Sequence, residues 1–178
     1  VENIGYTYDA CGNVTQKTQY IKNADGTFDL EHPVVNRWSF DPEWGWKVWE
    51  KDPEGYVTVY RYAKPDGTLD YRGRIWETEL PNDDDDKGWN PVQGETPAPR
   101  VGNPTIRFAY DDEQLTKTVI DQLGNKTLYQ YDRFGTLISI KKYLQSSPGI
   151  YQDYSTTTIT YDAQGHIASI TDPGGNKS

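Results

Sequence analysis

One short signature returns six times along this 178-residue chain. Two large side chains stand one residue apart, and in all but one copy an aspartate follows. The copies are Tyr6-Thr7-Tyr8-Asp9, Trp38-Ser39-Phe40-Asp41, Tyr60-Arg61-Tyr62-Ala63, Phe108-Ala109-Tyr110-Asp111, Tyr129-Gln130-Tyr131-Asp132 and Ile159-Thr160-Tyr161-Asp162. A second signature, Asp-x-x-Gly, alternates with it at Asp52–Gly55, Asp121–Gly124 and Asp172–Gly175. Gly55 and Gly124 both precede an aromatic pair by five and seven residues. Self-similarity at fixed spacing marks a repeat architecture.

The unit has a simple physical reading. Two rings at period two fall on one face of a β-strand. The residues between and before them are mostly Thr, Ser, Arg, Gln and Asn, which suit the wetter face. In Asp-x-x-Gly the carboxylate caps local backbone amides, and glycine takes the positive φ that closes a tight turn. Tyr110–Thr127 aligns with Tyr161–Ser178 without a gap, and Tyr110 to Tyr131 spans 21 residues. That length fits one β-hairpin per repeat. The expected fold is all-β: repeated Tyr-rich hairpins in a twisted, curved antiparallel sheet. Tyr8, Phe40, Tyr62, Tyr110, Tyr131 and Tyr161 are expected to line one continuous buried face. Gly12, Gly55, Gly124, Gly135 and Gly165 are expected in turns, most with positive φ. Gln114 stands at the glycine position after Asp111, which predicts a different turn there.

The pattern Tyr-x-Tyr-Asp-x-x-Gly-x-Leu, followed by Asp-x-x-Gly-x-x-Thr-x-Tyr-x-Tyr-Asp, resembles the YD or Rhs repeat. Tyr131-Asp132-Arg133-Phe134-Gly135-Thr136-Leu137 carries the resemblance, as does Asp121-Gln122-Leu123-Gly124-Asn125-Lys126-Thr127-Leu128-Tyr129-Gln130-Tyr131-Asp132. Tyr8-Asp9-Ala10-Cys11-Gly12 and Tyr161-Asp162-Ala163-Gln164-Gly165 follow it too, while Ala63 and Gln114 depart from it. The resemblance implies hairpins wound into a long spiralling sheet, often closing into a hollow shell, so this chain would be a fragment of a spiral or shell. Such shells are found in bacterial Rhs polymorphic toxins, insecticidal toxin complexes, Gram-positive wall-associated proteins and teneurins. It also implies an extracellular or cell-surface location, and places any toxin activity in a C-terminal domain of the parent chain, beyond the repeats. The chain stops three residues past Gly175, before another Tyr-x-Tyr-Asp strand. A stacked repeat cannot bury its face without a neighbour, so a fragment of a longer protein is expected.

Hydrophobic content is only 34%, yet 13% of residues are aromatic, so any core must be built largely from rings. A net charge of −9 argues against nucleic-acid binding, which wants a basic face. No stretch approaches the length of a membrane-spanning helix. The single cysteine, Cys11, excludes an internal disulfide framework and reads as an inert turn residue.

The region 1–178 is expected to be one repeat array with insertions near 19–34, 70–104 and 142–155. Tyr8 to Phe40 spans 32 residues, Tyr62 to Tyr110 spans 48 and Tyr131 to Tyr161 spans 30, all longer than the unit. The largest insertion, rich in proline and acid, reads as a solvated loop. Its run Asp83-Asp84-Asp85-Asp86 is a candidate calcium site, since calcium takes several carboxylate oxygens, although the alternate-ligand pattern is missing. The Trp-rich stretches offer another candidate. Trp44 and Trp46 share a face by period two, with Trp49 on the other and Trp76 and Trp89 further on. Exposed planar rings are surfaces on which sugars stack, and they also suit protein partners.

Catalysis is not expected. The repeat aspartates recur as turn elements, and Glu43, Glu50, Glu77 and Glu79 beside the Trp cluster form no evident pair. His32 and His166 have no metal spacing. The expected role is structural, a shell or stalk enclosing or presenting a C-terminal effector. A glycan- or protein-binding module using the Trp-bearing insertions is the second expectation. A glycoside-active enzyme is a remote third.

Overall fold

A computed structural model describes residues 3–82, 87 and 89–178. The chain is all-β, built from antiparallel strands, with no helix among the described residues. It divides into two compact units, Val1–Pro104 and Thr105–Ser178. In the first, β1 (Asn3–Tyr8), β2 (Val14–Tyr20), β3 (Val34–Phe40), β4 (Lys47–Lys51), β5 (Val57–Arg61) and β6 (Glu77–Glu79) lie side by side in chain order. In the second, β7 (Thr105–Asp111), β8 (Thr116–Ile120), β9 (Lys126–Tyr131), β10 (Leu137–Ser147), β11 (Ile150–Tyr161) and β12 (Ile167–Thr171) do the same.

The Asp-x-x-Gly turns share one geometry. Asp9 Oδ1 accepts the N–H of Cys11 and Asn13, two and four residues on, and Asp121, Asp132 and Asp162 repeat this. Gly12, Gly55, Gly124, Gly135 and Gly165 all have φ between 82° and 99°. Asp41 and Asp111 make a different turn: each Oδ1 accepts N–H groups two and three residues on. There the positive φ moves one position later, to Gly45 and to Leu115 at 54°. Gln114 is thereby spared the left-handed region, and Leu115 enters it instead.

A bulge accompanies the second ring of most pairs. Tyr8, Phe40, Tyr131 and Tyr161 each face a partner strand that skips one residue: Thr15, Val48, Ile138 and Ala168 respectively. Such a bulge bends the strand and re-aims the ring beside the turn. The hairpin of Tyr110 has no bulge, and its extra residue sits in the loop.

Within each unit the strand-borne pairs put both rings on one face, but that face is half open. In the second unit Tyr110, Lys117, Tyr129 and Ile140 form one cross-strand row, with the Lys117 amine 4.9 Å from the Phe108 ring centre. None of the six expected core rings is fully buried, and Tyr8 is 60% exposed. The expected buried aromatic face is therefore corrected. The apolar core of the first unit, Val48, Trp49, Val57 and Val59, draws instead on positions between the repeat rings. Ser39, Trp49, Val59 and Glu79 stand opposite one another across four strands, on the face turned away from Trp38 and Tyr60.

The reason is the later part of the insertion, residues 89–104, which is no solvated loop. Its chain folds back over this row and hydrogen-bonds to it. The Trp49 indole donates to Val92 O at 3.1 Å, Lys51 Nζ to Trp89 O at 2.8 Å, and Gly94 N–H to Ser39 Oγ at 2.7 Å. Proline-rich chain leaves carbonyls free to accept such bonds. The buried aliphatic side chains each contribute about 1.5–3 kcal/mol when removed from water. The insertion at 142–155 also stays in the sheet. It lengthens β10 and β11 into an extended hairpin turned at Gly149, with Lys126 Nζ 4.1 Å from the Tyr143 ring and 4.6 Å from that of Tyr151.

Candidate functional site

The first unit carries a groove of about 270 Å³ where β4 and β5 meet the turns that flank them. Its aromatic wall comes from two places in the chain, and a ring from a third flanks it. Trp44 and Trp46 come from the Asp41 turn, whose geometry brings the rings together although neither residue lies in a strand. They stack with ring centres 5.4 Å apart and planes inclined by 23°. Tyr62, just past β5, lies 4.9 Å from Trp46, and Tyr71 meets Trp44 edge-on at 5.6 Å. Leu69, Val48 and Ala63 supply the apolar lining, with Asp41, Glu43, Arg61 and Thr96 as its polar groups.

Each ring is held by its neighbours. The Tyr62 hydroxyl donates to Lys47 O at 2.9 Å, and burial pushes its pKa upward. Gly73, at φ 69°, lies so close that a Cβ there would stand 2.8 Å from the Trp46 indole nitrogen. Asp70, almost fully buried, anchors the loop that carries Tyr71: Trp76 Nε1 and Arg74 Nε donate to its Oδ2 at 2.9 and 2.7 Å. Burial pushes the Asp70 carboxyl up, but the bonds from Trp76, Arg74 and the Arg72 amide outweigh it and hold the group below its ordinary value. The groove is open at its outer edge. Trp44 is 40% exposed and Tyr71 72%.

The fold has solved counterparts. The crystal structures of TcdB2-TccC3-TEV, TcdB2-TccC3 and TcdB2-TccC3-Cdc42 match it with TM-scores of 0.62, 0.61 and 0.61, each at 15% identity. Each match covers 93% of this chain and 7% of that chain, so this chain corresponds to a small stretch of much longer ones. No family model matches the sequence, and no curated protein matches it. At that identity the likeness concerns the fold alone.

The five Trp residues singled out by sequence separate into two groups. Trp44 and Trp46 line the groove. Trp49 does not: it is 3% exposed and belongs to the core, so its candidacy as a ligand platform is withdrawn. The cause is the covering insertion, which no local pattern around Trp49 announces. Trp76 spends its indole N–H on Asp70, and Trp89 packs against the core beneath the Arg100 guanidinium, 4.2 Å from its ring.

The acids considered for chemistry are also placed. Glu79 is 1% exposed and receives Arg61, Arg100 and Asn103, while Glu77 shares Arg61. Glu50 accepts from Lys47 Nζ at 2.7 Å and the Tyr60 hydroxyl at 2.5 Å. Burial pushes Glu50 up, and those bonds outweigh it and leave its pKa lowered. Only Glu43 of the four lines the groove. Asp83, Asp84, Asp85 and Asp86 lie outside the described residues. Among the described residues no three His, Cys, Asp or Glu side chains converge as a metal site. Among the described residues there is no helix long and apolar enough to cross a membrane.

Tyr71 and Leu69 were missed by sequence reasoning, although a signal for them exists. Asn23-Ala24-Asp25-Gly26-Thr27-Phe28-Asp29 and Lys64-Pro65-Asp66-Gly67-Thr68-Leu69-Asp70 are a second internal repeat. Both fold alike: Asp25 and Asp66 accept the backbone and hydroxyl of the following Thr at 2.9 and 2.7 Å. The bridges Lys22–Phe28 and Ala63–Leu69 close both loops. Ala63 lacks the repeat aspartate because the chain enters this second kind of turn there.

Proposed function

We propose that this segment is a length of wall in a larger exported bacterial protein of the YD/Rhs-repeat type, part of a β-shell or stalk that encloses or presents a C-terminal effector. The observation that carries it is the strand meander itself, with each Asp-capped turn returning the chain beside the previous strand and one aromatic face left half open. A half-open apolar face on an extended sheet suits an assembly that continues beyond the segment. The fold-level likeness to about one-fourteenth of each TcdB2-TccC3 chain fits such a part-to-whole relation. In this reading the wall performs no chemistry, its partner is the rest of the parent chain, and the assembly works outside the cell.

The test is made on the parent protein. Electron microscopy of the full-length chain is expected to show a hollow or rod-like β-walled particle containing this segment. Limited proteolysis is expected to leave the wall intact and to cut the C-terminal domain only after the wall is unfolded. A compact particle with this segment as a detached domain would overturn the proposal.

A second reading rests on one specific observation, the outward-facing Trp44 stacked on Trp46. It makes the groove a binding site for a glycan or a protein segment, presented on the wall's surface. Titration of tryptophan emission, with Trp44→Ala as the control, tests it.

A further inference from the structure

The inference here rests on that second reading and names the ligand chemistry. We propose that the groove takes a basic peptide segment, with a Lys or Arg side chain laid over the Trp44 ring and its cation facing Asp41 and Glu43.

Three features of the groove favour a cation with an apolar stem. Aromatic faces carry negative potential, and the indole is the strongest of them for a cation. The stack with Trp46 occupies one side of Trp44, and the edge-on Tyr71 leaves the ring partly open to solvent. The carboxylates beside it are not neutralised from within. Asp41 spends Oδ1 on the N–H groups of Glu43 and Trp44, at 2.9 and 2.8 Å, and Oδ2 is left to a ligand. Among the described residues Glu43 donates no side-chain bond and receives none.

Arg61 is the cation among the lining residues, and it is committed elsewhere. Its Nη atoms reach Glu77 at 3.2 Å, Glu79 at 2.7 Å and Pro97 O at 3.2 Å. The net charge of this part of the sequence has the same sign. Residues 1–104 hold eleven Lys and Arg against nineteen Asp and Glu, so they carry nearly all of the net −9. A glycan needs donors as well as acceptors around the stacked ring. Here Arg61 and the Tyr62 hydroxyl are already used, so the donors left on the lining side chains are Thr96 and the indole N–H groups of the two stacked rings. The volume is below the roughly 300–1,000 Å³ of small-molecule sites and suits one long side chain with its stem.

The test uses the whole chain and a short Gly/Ser peptide with one central arginine. The same peptide with citrulline, the neutral isostere, is the comparison, and soluble oligosaccharides of glucose and of N-acetylglucosamine form a third arm. Tryptophan emission and calorimetry are the readouts. The arginine peptide is expected to bind and to bind more weakly as salt rises. Citrulline, or Glu43→Gln in the protein, is expected to cost about three- to tenfold in affinity. Equal binding of the arginine and citrulline peptides overturns the proposal. Oligosaccharide binding lost in Trp44→Ala, with the peptides silent, also overturns it while keeping the groove as a site. Silence in every arm, with native far-ultraviolet dichroism, overturns both the proposal and the groove reading beneath it.

Discussion

Arg100 reaches across the covered face of the first unit to bond Glu79, a carboxylate that is 1% exposed. The pair joins the far end of the 70–104 insertion to β6, and Arg100 also donates to Val57 O at 2.9 Å. Arg61 and Asn103 complete the shell around the same carboxylate. Removing one partner of a buried ion pair leaves the other charge uncompensated. Glu79→Ala is expected to destabilise the first unit by about 3–5 kcal/mol. Urea denaturation measures this. A loss below about 1 kcal/mol would mean that the insertion does not depend on the pair for its anchorage.

Gly73 and Gly12 separate backbone strain from packing. Both have positive φ, at 69° and 88°, so alanine meets a similar steric cost at each. A Cβ at Gly12 touches nothing within 4 Å, whereas at Gly73 it presses on the Trp46 ring. Gly73→Ala is expected to cost about 1–3 kcal/mol more than Gly12→Ala. It should also change the near-ultraviolet dichroism of the Trp44–Trp46 stack, which Gly12→Ala should leave alone. Equal costs and equal spectra would show that Trp46 moves aside freely.

Tyr110 and Tyr129 show what a reader of the sequence could have known. Period two and the fixed offset to the turn glycine place both rings on one face, and both stand in one cross-strand row. The turns after Asp9, Asp121, Asp132 and Asp162 were legible for the same reason, since carboxylate and glycine act within five residues. Trp49 was not. Its burial depends on Val92, far along the chain, and composition around Val92 resembles any exposed loop. The direction of the core was lost with it, because a strand pattern says which residues share a face and not which face a distant segment will cover. The groove was half legible: Trp44 and Trp46 stood out by type, while Tyr71 required the second repeat around Asp66–Gly67 to be seen.

Leu115 holds φ 54° on a leucine, in the loop where the Tyr110 hairpin stores its extra residue. A left-handed conformation costs a non-glycine residue about 1–2 kcal/mol. Leu115 is 39% exposed, so its side chain gives back little by burial. Leu115→Gly is expected to raise stability by about 0.5–1 kcal/mol, after the greater freedom of glycine in the unfolded chain is subtracted. Thermal melting of the two proteins checks it. A fall in stability would mean that Leu115 packs against Tyr131 and Phe134, which line the same hollow, more tightly than its exposure implies.

The turn carboxylates make stability depend on acid. Asp9, through the Asn13 side chain first, and Asp132, through the Thr136 amide first, have pKa values held below the ordinary 3.8. Asp172 is lowered in the same way by the Asn176 side chain, and Asp70 by Trp76 and Arg74 against its burial. A folded pKa below the unfolded one means that the unfolded chain takes up protons first as pH falls. The stabilisation from these groups is therefore fully present above about pH 4 and is lost as pH falls through their lowered values. Denaturation midpoints are expected to be flat from this source at neutral pH and to fall steeply below about pH 4. Asp9→Asn keeps an oxygen for the Cys11 and Asn13 amides but cannot titrate, so its acid-side fall should be shallower than that of the unaltered chain. Parallel curves for the two proteins would assign the acid sensitivity to carboxylates other than that of Asp9.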